Sequence, residues 1–118
     1  HVTVDAGALS PTVVGEHAHL DSHVHVGHNA RIGAHAIVCA QTGLAGSVEV
    51  GEGAMLGGQV GVADHLRIGA RARVAAKSGV VRDVPEGAEV AGYPAVQRRT
   101  WLRTFAKLYQ RAESHRDS

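Results

Sequence analysis

VHVGHNARIGAHAIVCAQTGLAGSVEVGEGAML, residues 24–56, carries an aliphatic residue at every sixth position. The same register holds without a break from Val14 to Val80, and we expect it to extend back to Val2, with Ala8 as its weaker member. The residue after the aliphatic one is often glycine, and the fourth residue after it is mostly small or aliphatic. An α-helix has a period of about 3.6 and an isolated strand a period of about 2, so neither explains this pattern. The pattern therefore indicates a repeat architecture.

A parallel β-helix accounts for a period of six. Each hexapeptide forms one side of a triangular coil, the aliphatic side chain points inward, and small residues let the chain turn at the corners. Three sides make a coil of eighteen residues, so residues eighteen apart stack at roughly 4.8 Å, the usual inter-strand spacing. Glycines recur at this interval, and the inward stacks follow it: Gly15, Gly33, Gly51 and Gly69; Val14, Ile32, Val50 and Ile68; Val26, Leu44, Val62 and Val80.

The period alone does not give the handedness of the coil. Right-handed crossovers are the rule between parallel strands, but hexapeptide repeats of this kind resemble the left-handed β-helix, a known exception. We therefore predict an all-β fold, a left-handed parallel β-helix, over residues 1–84. Because the chain starts in mid-pattern and without methionine, we expect this domain to be truncated at its N-terminus.

The register fades after Val80. Residues 85–96, PEGAEVAGYPAV, contain two prolines and predict a connecting loop. Residues 97–113 predict an amphipathic helix, because apolar residues occur there at helical spacing with basic residues between them. These apolar residues are Trp101, Leu102, Phe105, Leu108 and Tyr109. We expect this helix to pack against the coils or against a neighbouring subunit.

Composition excludes several classes of protein. The chain has 118 residues, enough for one domain, and its formal net charge of +1 gives no broad basic surface for nucleic acid. Its one cysteine, Cys39, excludes an internal disulfide framework and suits a reducing compartment. No apolar run approaches the roughly 20 residues of a membrane span, so we expect no stable membrane insertion.

Several pieces of the sequence, taken in order, resemble one family. They are VTVDAGAL (2–9), an aspartate and a histidine seven apart at Asp21 and His28, HNARIG (28–33), GLAGSVEVGEGAMLGGQVGVADHLRIG (43–69) and VVRDVPEGAEVAGYPAVQRRTW (80–101). Together these pieces resemble the C-terminal half of the UDP-3-O-acylglucosamine N-acyltransferases of lipid A synthesis. The hexapeptides alone are shared by many transferases, whereas TVDAGAL, GHN and GYPA at these spacings are more specific.

The resemblance implies a homotrimer with active sites in the clefts between subunits. It implies transfer of a 3-hydroxyacyl chain from acyl carrier protein to the 2-amino group of a UDP-3-O-acylated glucosamine. The acyl donor is carried on the phosphopantetheine of the carrier protein, and neither a metal nor a further cofactor is expected. A cytoplasmic location in a Gram-negative bacterium is implied as well.

Three residues match the catalytic positions of the family. His28 matches the general base, Asp21 its carboxylate partner, and Gly46 the donor of the backbone N–H that binds the oxyanion. A histidine suits proton abstraction near neutral pH, and a carboxylate on its other nitrogen fixes the tautomer. Asp21 and His28 lie on adjoining sides of one coil, so we expect contact between them near a corner. Gly46 lies eighteen residues after His28, one coil above it.

Further residues match positions that bind substrates. His65 and Asn29 are expected to contact the nucleotide sugar or a phosphate, and Arg82, Arg98 and Arg99 to face the acidic carrier protein. A solvated surface position is the alternative for His65, and any exposed helix rich in arginine would show the same basic residues.

The sequence departs from the family in three places: Ala6 stands for an arginine, Ser22 for an asparagine, and the N-terminal uridine-binding domain is not part of these 118 residues.

Three other hypotheses stay open. Trimeric γ-class carbonic anhydrases share this β-helix and bind zinc through histidines, two of them at the spacing of His23 and His28. Their third ligand comes from a segment that would precede this chain. A CoA-dependent N-acetyltransferase and a trimerisation scaffold without catalysis are the other two.

Overall fold

The structure, a computed structural model, describes residues 2–4 and 11–116, with side chains as far as Ser114. The described residues form short strands and one long helix. In chain order the strands are β1 (Thr3–Val4), β2 (Val13–Val14), β3 (His19–Leu20), β4 (His25–Val26), β5 (Arg31–Ile32), β6 (Ile37–Val38), β7 (Gly43–Leu44), β8 (Glu49–Val50), β9 (Met55–Leu56), β10 (Gly61–Val62), β11 (Arg67–Ile68), β12 (Arg73–Val74), β13 (Gly79–Val80), β14 (Glu89–Ala91) and β15 (Val96–Gln97). The helix α1 spans Arg98–Arg116.

The strands wind into a left-handed parallel β-helix, as the hexapeptide pattern predicts. Each strand up to β10 pairs with the strand three places further along the chain, which produces three sheets. Sheet A has the order β1-β4-β7-β10-β13, and sheet B the order β2-β5-β8-β11. Sheet C has the order β3-β6-β9-β12-β14-β15. Most pairs are eighteen residues apart, for example Val26 with Leu44 and Ile32 with Val50.

The core is the column of aliphatic side chains inside the coils. Its members are completely or almost completely buried wherever a coil lies on both sides: Val26, Ile32, Val38, Leu44, Val50, Leu56, Val62, Ile68, Val74 and Val80. The corner residues four positions after each of them are mostly buried too, among them Ala30, Ala36 and Val48. Val14 is 43% exposed because it belongs to the outermost complete coil. Burial of this column is the main source of stability, since it forms the core of the residues that the structure describes.

The register at the N-terminal end differs from the prediction. Val4 pairs with Val26, 22 residues away, so Val2 does not occupy an inward position. Ala8, which the prediction placed beneath Val26, lies outside the described residues. Pairing through Thr3 and Val4 places two β-branched residues in the strand and stacks a valine on Val26, which buries more apolar surface than an alanine would.

The turns between the sheets form the three edges of the prism. We call them the A–B edge (residues 27–30, 45–48, 63–66 and 81–83), the C–A edge (21–24, 39–42, 57–60 and 75–78) and the B–C edge (15–18, 33–36, 51–54, 69–72 and 85–88). Each regular turn holds one residue in the left-handed region. These residues lie six apart and include His23 (φ 58), Asn29 (φ 56) and His65 (φ 61). The left-handed conformation bends the chain, and because it recurs every six residues the chain bends at each corner.

The C-terminal part of the prism also differs from the prediction. Residues 85–96 are not a plain loop: they contain β14, which pairs with β12 in parallel, and the first residue of β15. Arg73 and Glu89 are sixteen residues apart in this pairing, because three residues separate Val80 from Val84, which pairs with Ile68, whereas five separate Val62 from Ile68. The sequence period of six is lost at that point, although the coil continues. β15 then pairs antiparallel with β14 and covers part of the open end.

Helix α1 begins one residue later and ends three residues later than the sequence predicts. Its first turns contact β14 and β15, and the Trp101 ring lies against the Cα of Gly92. Leu102, Phe105, Leu108 and Tyr109 are exposed. In the part of the chain that the structure describes, no helix has the length and apolar character needed to cross a bilayer.

Candidate active site

His28 and Gly46 face each other on the A–B edge. They occupy the same place in successive coils, and the His28 imidazole lies against the Cα of Gly46. A Cβ on residue 46 would fall 2.6 Å from Cε1 of His28 and 3.0 Å from each ring nitrogen. Atoms in real structures do not approach this closely, so the imidazole occupies the space that a side chain at position 46 would need. Gly46 therefore allows His28 to pack directly on the backbone of the next coil.

The Gly46 N–H is available on this edge. No carbonyl of the described residues accepts a hydrogen bond from it. The groups around it are fixed: the Ser47 N–H donates to the His28 carbonyl at 2.9 Å, and the His65 N–H donates to the Gly46 carbonyl at 3.1 Å. An N–H held beside an imidazole is the arrangement that stabilises an oxyanion during acyl transfer.

Asn29 links the His28 coil to the Gly46 coil through its side chain. Its Nδ2 donates to the Ser47 hydroxyl oxygen at 3.2 Å. Both residues are half-buried and both have the left-handed backbone conformation of the corner. Together with the Ser47 backbone bond to His28, this contact ties residues 28 and 29 to residues 46 and 47.

His65 completes the same column, because residues 29, 47 and 65 are eighteen apart. Its Nδ1 lies 3.0 Å from Oδ2 of Asp64, which in turn stacks above Gly46. His65 also lines a groove of about 340 Å³ whose walls include Ser47, Glu49, Arg67 and Asp83. Glu49 pairs with the Arg67 guanidinium at 3.1 Å, and the Asp83 carboxylate accepts the Arg67 N–H at 2.9 Å.

Arg82 lies on the A–B edge too, in the short turn at residues 81–83, and is exposed. The structure thus brings five of the residues selected from the sequence onto one edge: His28, Asn29, Gly46, His65 and Arg82. Their common position follows from the stacking of coils, which places residues at intervals of about eighteen in one line.

Asp21 is not on this edge. It follows β3 on the C–A edge, and its Oδ1 accepts the N–H of Ser22 at 2.7 Å. Within one chain Asp21 and His28 flank sheet A from opposite sides, since β4 runs between them. The expected contact of Asp21 with His28 at a single corner is thus not present among the described contacts of this chain.

Arg98 and Arg99 are also separate from the A–B edge. They begin helix α1, which follows β15 of sheet C, and both are exposed. Arg98 lines a groove on the outside of sheet C together with Met55, Arg73 and Glu89.

An apolar groove runs along the outside of sheet A beside the A–B edge. Its volume is about 460 Å³, and its floor contains Gly43, Gly61 and Gly79, which stack on one another. A Cβ at Gly43 or Gly61 would meet no atom within 4 Å, so the groove owes its depth to the missing side chains. The Tyr93 ring lies over Gly79 and covers the end of the groove.

The two histidines of the zinc hypothesis lie on different edges: His23 on the C–A edge and His28 on the A–B edge. Across the described residues, no three histidine, cysteine or acidic side chains converge as a bound metal ion requires.

Two residues of this edge, Ser47 and Asp64, were not selected from the sequence. The signal for both was present, because they lie eighteen residues after Asn29 and Gly46 and must stack on them.

Comparison with known proteins agrees with this description. The bacterial transferase hexapeptide family (six repeats) matches residues 11–46. A UDP-3-O-acylglucosamine N-acyltransferase of Agrobacterium fabrum is 58% identical over 113 residues, which is 96% of this chain and 32% of that protein. The protein of the same name from Myxococcus xanthus is 58% identical over 110 residues, 93% of this chain and 32% of that protein. The chain thus spans about a third of the length of the curated relatives it matches.

A solved structure, LpxA from Acinetobacter baumannii, has the same architecture. It superimposes with a TM-score of 0.79 at 27% sequence identity, covering 82% of this chain and 39% of that one. The chain therefore carries bacterial transferase hexapeptide repeats and, over 93–96% of its length, is similar to about one third of the UDP-3-O-acylglucosamine N-acyltransferases.

Proposed function

We propose that the natural protein containing this chain is an N-acyltransferase of lipid A synthesis, a homotrimer that acts in the cytoplasm. It transfers a 3-hydroxyacyl group from acyl carrier protein to the 2-amino group of UDP-3-O-acylglucosamine. The names of its relatives support the reaction class. The structural observation that carries the proposal is the His28 imidazole packed against the Cα of Gly46, one coil away.

The reaction needs a base and an oxyanion donor. In the proposed mechanism the 2-amino nitrogen attacks the thioester carbonyl carbon, and the neutral His28 imidazole takes a proton from that nitrogen. The carbonyl oxygen becomes an oxyanion, which accepts a hydrogen bond from the Gly46 N–H. The C–S bond then breaks, the new amide forms, and the protonated His28 returns its proton to the leaving thiolate.

Asp21 reaches His28 from a neighbouring subunit in this proposal. The two residues lie at the same height of the prism, on the two edges that flank sheet A. In a cyclic trimer with sheet A turned towards the three-fold axis, the A–B edge of one subunit meets the C–A edge of the next. This arrangement joins a partner's carboxylate to the His28 ring, where it fixes the tautomer and stabilises the imidazolium.

The remaining residues bind the two substrates. His65 and Asn29, on the same edge as His28, contact the acyl donor or the nucleotide sugar. Arg82 binds the acidic carrier protein next to this edge, while Arg98 and Arg99 add positive charge on another part of the surface. The apolar groove on sheet A receives the acyl chain, because it starts beside the edge and has no charged residue in its floor.

A His28→Ala variant of the natural protein tests the proposal. Removal of a general base costs about 10²- to 10⁴-fold in rate, so acyl transfer should fall by that factor while the oligomer and its circular dichroism spectrum stay unchanged. His17→Ala is the matched control, because His17 is also an exposed corner histidine but lies on the B–C edge. Full acyl transfer by His28→Ala would overturn the assignment.

A further inference from the structure

We propose that Asp64 is a positioning residue for His65, which it holds in the tautomer whose Nε2 accepts a hydrogen bond from an N–H or O–H of the acyl donor. The inference rests on the proposed function, because it assigns a task to a histidine of the same edge. It begins from the 3.0 Å contact between Asp64 Oδ2 and His65 Nδ1.

The chemistry of the two groups sets the direction of this hydrogen bond. An ionised carboxylate can only accept a hydrogen bond, so Nδ1 of His65 must carry the proton. In the neutral imidazole the other nitrogen, Nε2, then has a lone pair and no proton. A carboxylate on one ring nitrogen therefore decides what the other nitrogen offers to a ligand.

The position of the pair places the His65 ring beside the site. His65 lines the groove on the A–B edge, whereas Asp64 is not among the described residues that line it. Asp64 stacks in the column of His28 and Gly46, two coils above His28, which is about 10 Å at the usual strand spacing. The acids that do line the groove, Glu49 and Asp83, are already bonded to Arg67. In its neutral form the His65 ring thus offers a hydrogen-bond acceptor in a groove whose acids are already bonded to Arg67.

The chain offers a matched control pair. Glu16 and His17 are also adjacent, with Oε1 of Glu16 3.2 Å from Nε2 of His17, and His17 has the same left-handed corner conformation. This pair lies on the B–C edge, away from the other residues of the site. Its exposure is similar: the side chains of His17 and His65 are 66% and 75% exposed.

The first test compares Asp64→Ala with Glu16→Ala in the natural protein. Exposed pairs contribute about 0.2–1 kcal/mol, so Asp64→Ala should raise the KM for the acyl carrier protein donor about 1.4- to fivefold, while kcat changes by a smaller factor. Glu16→Ala should leave both constants unchanged. In a His65→Ala background, Asp64→Ala should have no further effect, because its action passes through the imidazole. An unchanged KM in Asp64→Ala, or the same loss in both backgrounds, overturns the proposal.

The second test reads the tautomer without any turnover. Nitrogen-15 chemical shifts of the His65 ring should report a proton on Nδ1 in the wild-type protein and a mixture of tautomers in Asp64→Ala. A proton on Nε2 in the wild type contradicts the proposal. If the wild type shows no acyl transfer at all, the proposed function fails, and these shifts alone then decide the role of Asp64.

A comparison of two acyl donors, with and without the 3-hydroxyl, identifies the substrate group that donates its hydrogen bond to His65. If the KM effect of Asp64→Ala disappears with a donor that lacks the 3-hydroxyl, the O–H of the acyl chain is the group that His65 binds. If the effect persists, an amide N–H of the pantetheine arm is that group. Either outcome supports the positioning role.

Discussion

Asp21 and His28 belong to one coil but lie on the two edges that flank sheet A. A single prism keeps them apart, since β4 spans the face between them. The A–B edge of one copy and the C–A edge of another meet at the same height when copies of the chain are arranged in a ring. In the proposed mechanism the pair that the sequence suggests therefore forms between two subunits.

Mixing two inactive variants tests this relationship. Trimers assembled from equal amounts of Asp21→Ala and His28→Ala chains should recover about a quarter of the wild-type activity, because a quarter of the subunit contacts then pair an intact His28 with an intact Asp21. Each variant alone should stay inactive. Absence of recovery after verified subunit mixing would show that both residues act within one chain.

Gly46→Ala should abolish most of the acyl transfer without unfolding the protein. The new Cβ would lie 2.6 Å from the His28 ring, so the ring must rotate away from the reacting groups. We expect a loss of about 10²-fold, typical of a misplaced catalytic group. Gly58→Ala is the control, because Gly58 has the same place in its hexapeptide on the C–A edge and a Cβ there would be 3.4 Å from the nearest atom. Equal activities of the two variants would contradict the His28 assignment.

Gly61→Val should shift the preference towards shorter acyl donors. The valine side chain fills part of the apolar groove, and nothing lies within 4 Å of its Cβ position, so the fold should tolerate it. The measurement is kcat/KM for a series of acyl carrier protein donors of different chain length. An unchanged preference would show that the acyl chain lies elsewhere.

Leu44→Ala should lower the free energy of unfolding by about 2–5 kcal/mol. Leu44 is completely buried between Val26 and Val62, and removal of its side chain leaves a cavity that the stacked coils cannot close. Urea denaturation measures the change. Val14→Ala, at a position 43% exposed, should cost much less; similar losses for the two variants would argue against the buried column as the source of stability.

Glu49→Gln should change the free energy of unfolding by less than about 1 kcal/mol. Its partner Arg67 is 72% exposed and Glu49 is 46% exposed, so water screens the ion pair. A double-mutant cycle of the two residues in low and high salt provides the measurement. A coupling well above this value would indicate that the pair is shielded in the assembled protein.

The regular coils were predictable from residues 14–80 because the residue type at each repeated position suits its place in the coil. The inward aliphatic residue, the small corner residue and the frequent glycine recur together, and eighteen-residue stacking follows from three sides of six. The same arithmetic predicted that Gly46 lies directly above His28. It was wrong where the coil changes length, at Val4 and after Val80, because a periodic pattern carries no information once residues are inserted or deleted in a turn.

The sequence by itself thus determined the prism and the alignment of His28, Asn29, Gly46 and His65, because covalent spacing and strand pairing together place residues eighteen apart in one line. Only the tertiary structure decided that Asp21 lies on another edge, that Asp64 contacts His65, and that residues 89–91 continue sheet C. These features depend on the direction in which each turn leaves its sheet and on side-chain contacts between coils, neither of which the hexapeptide period encodes.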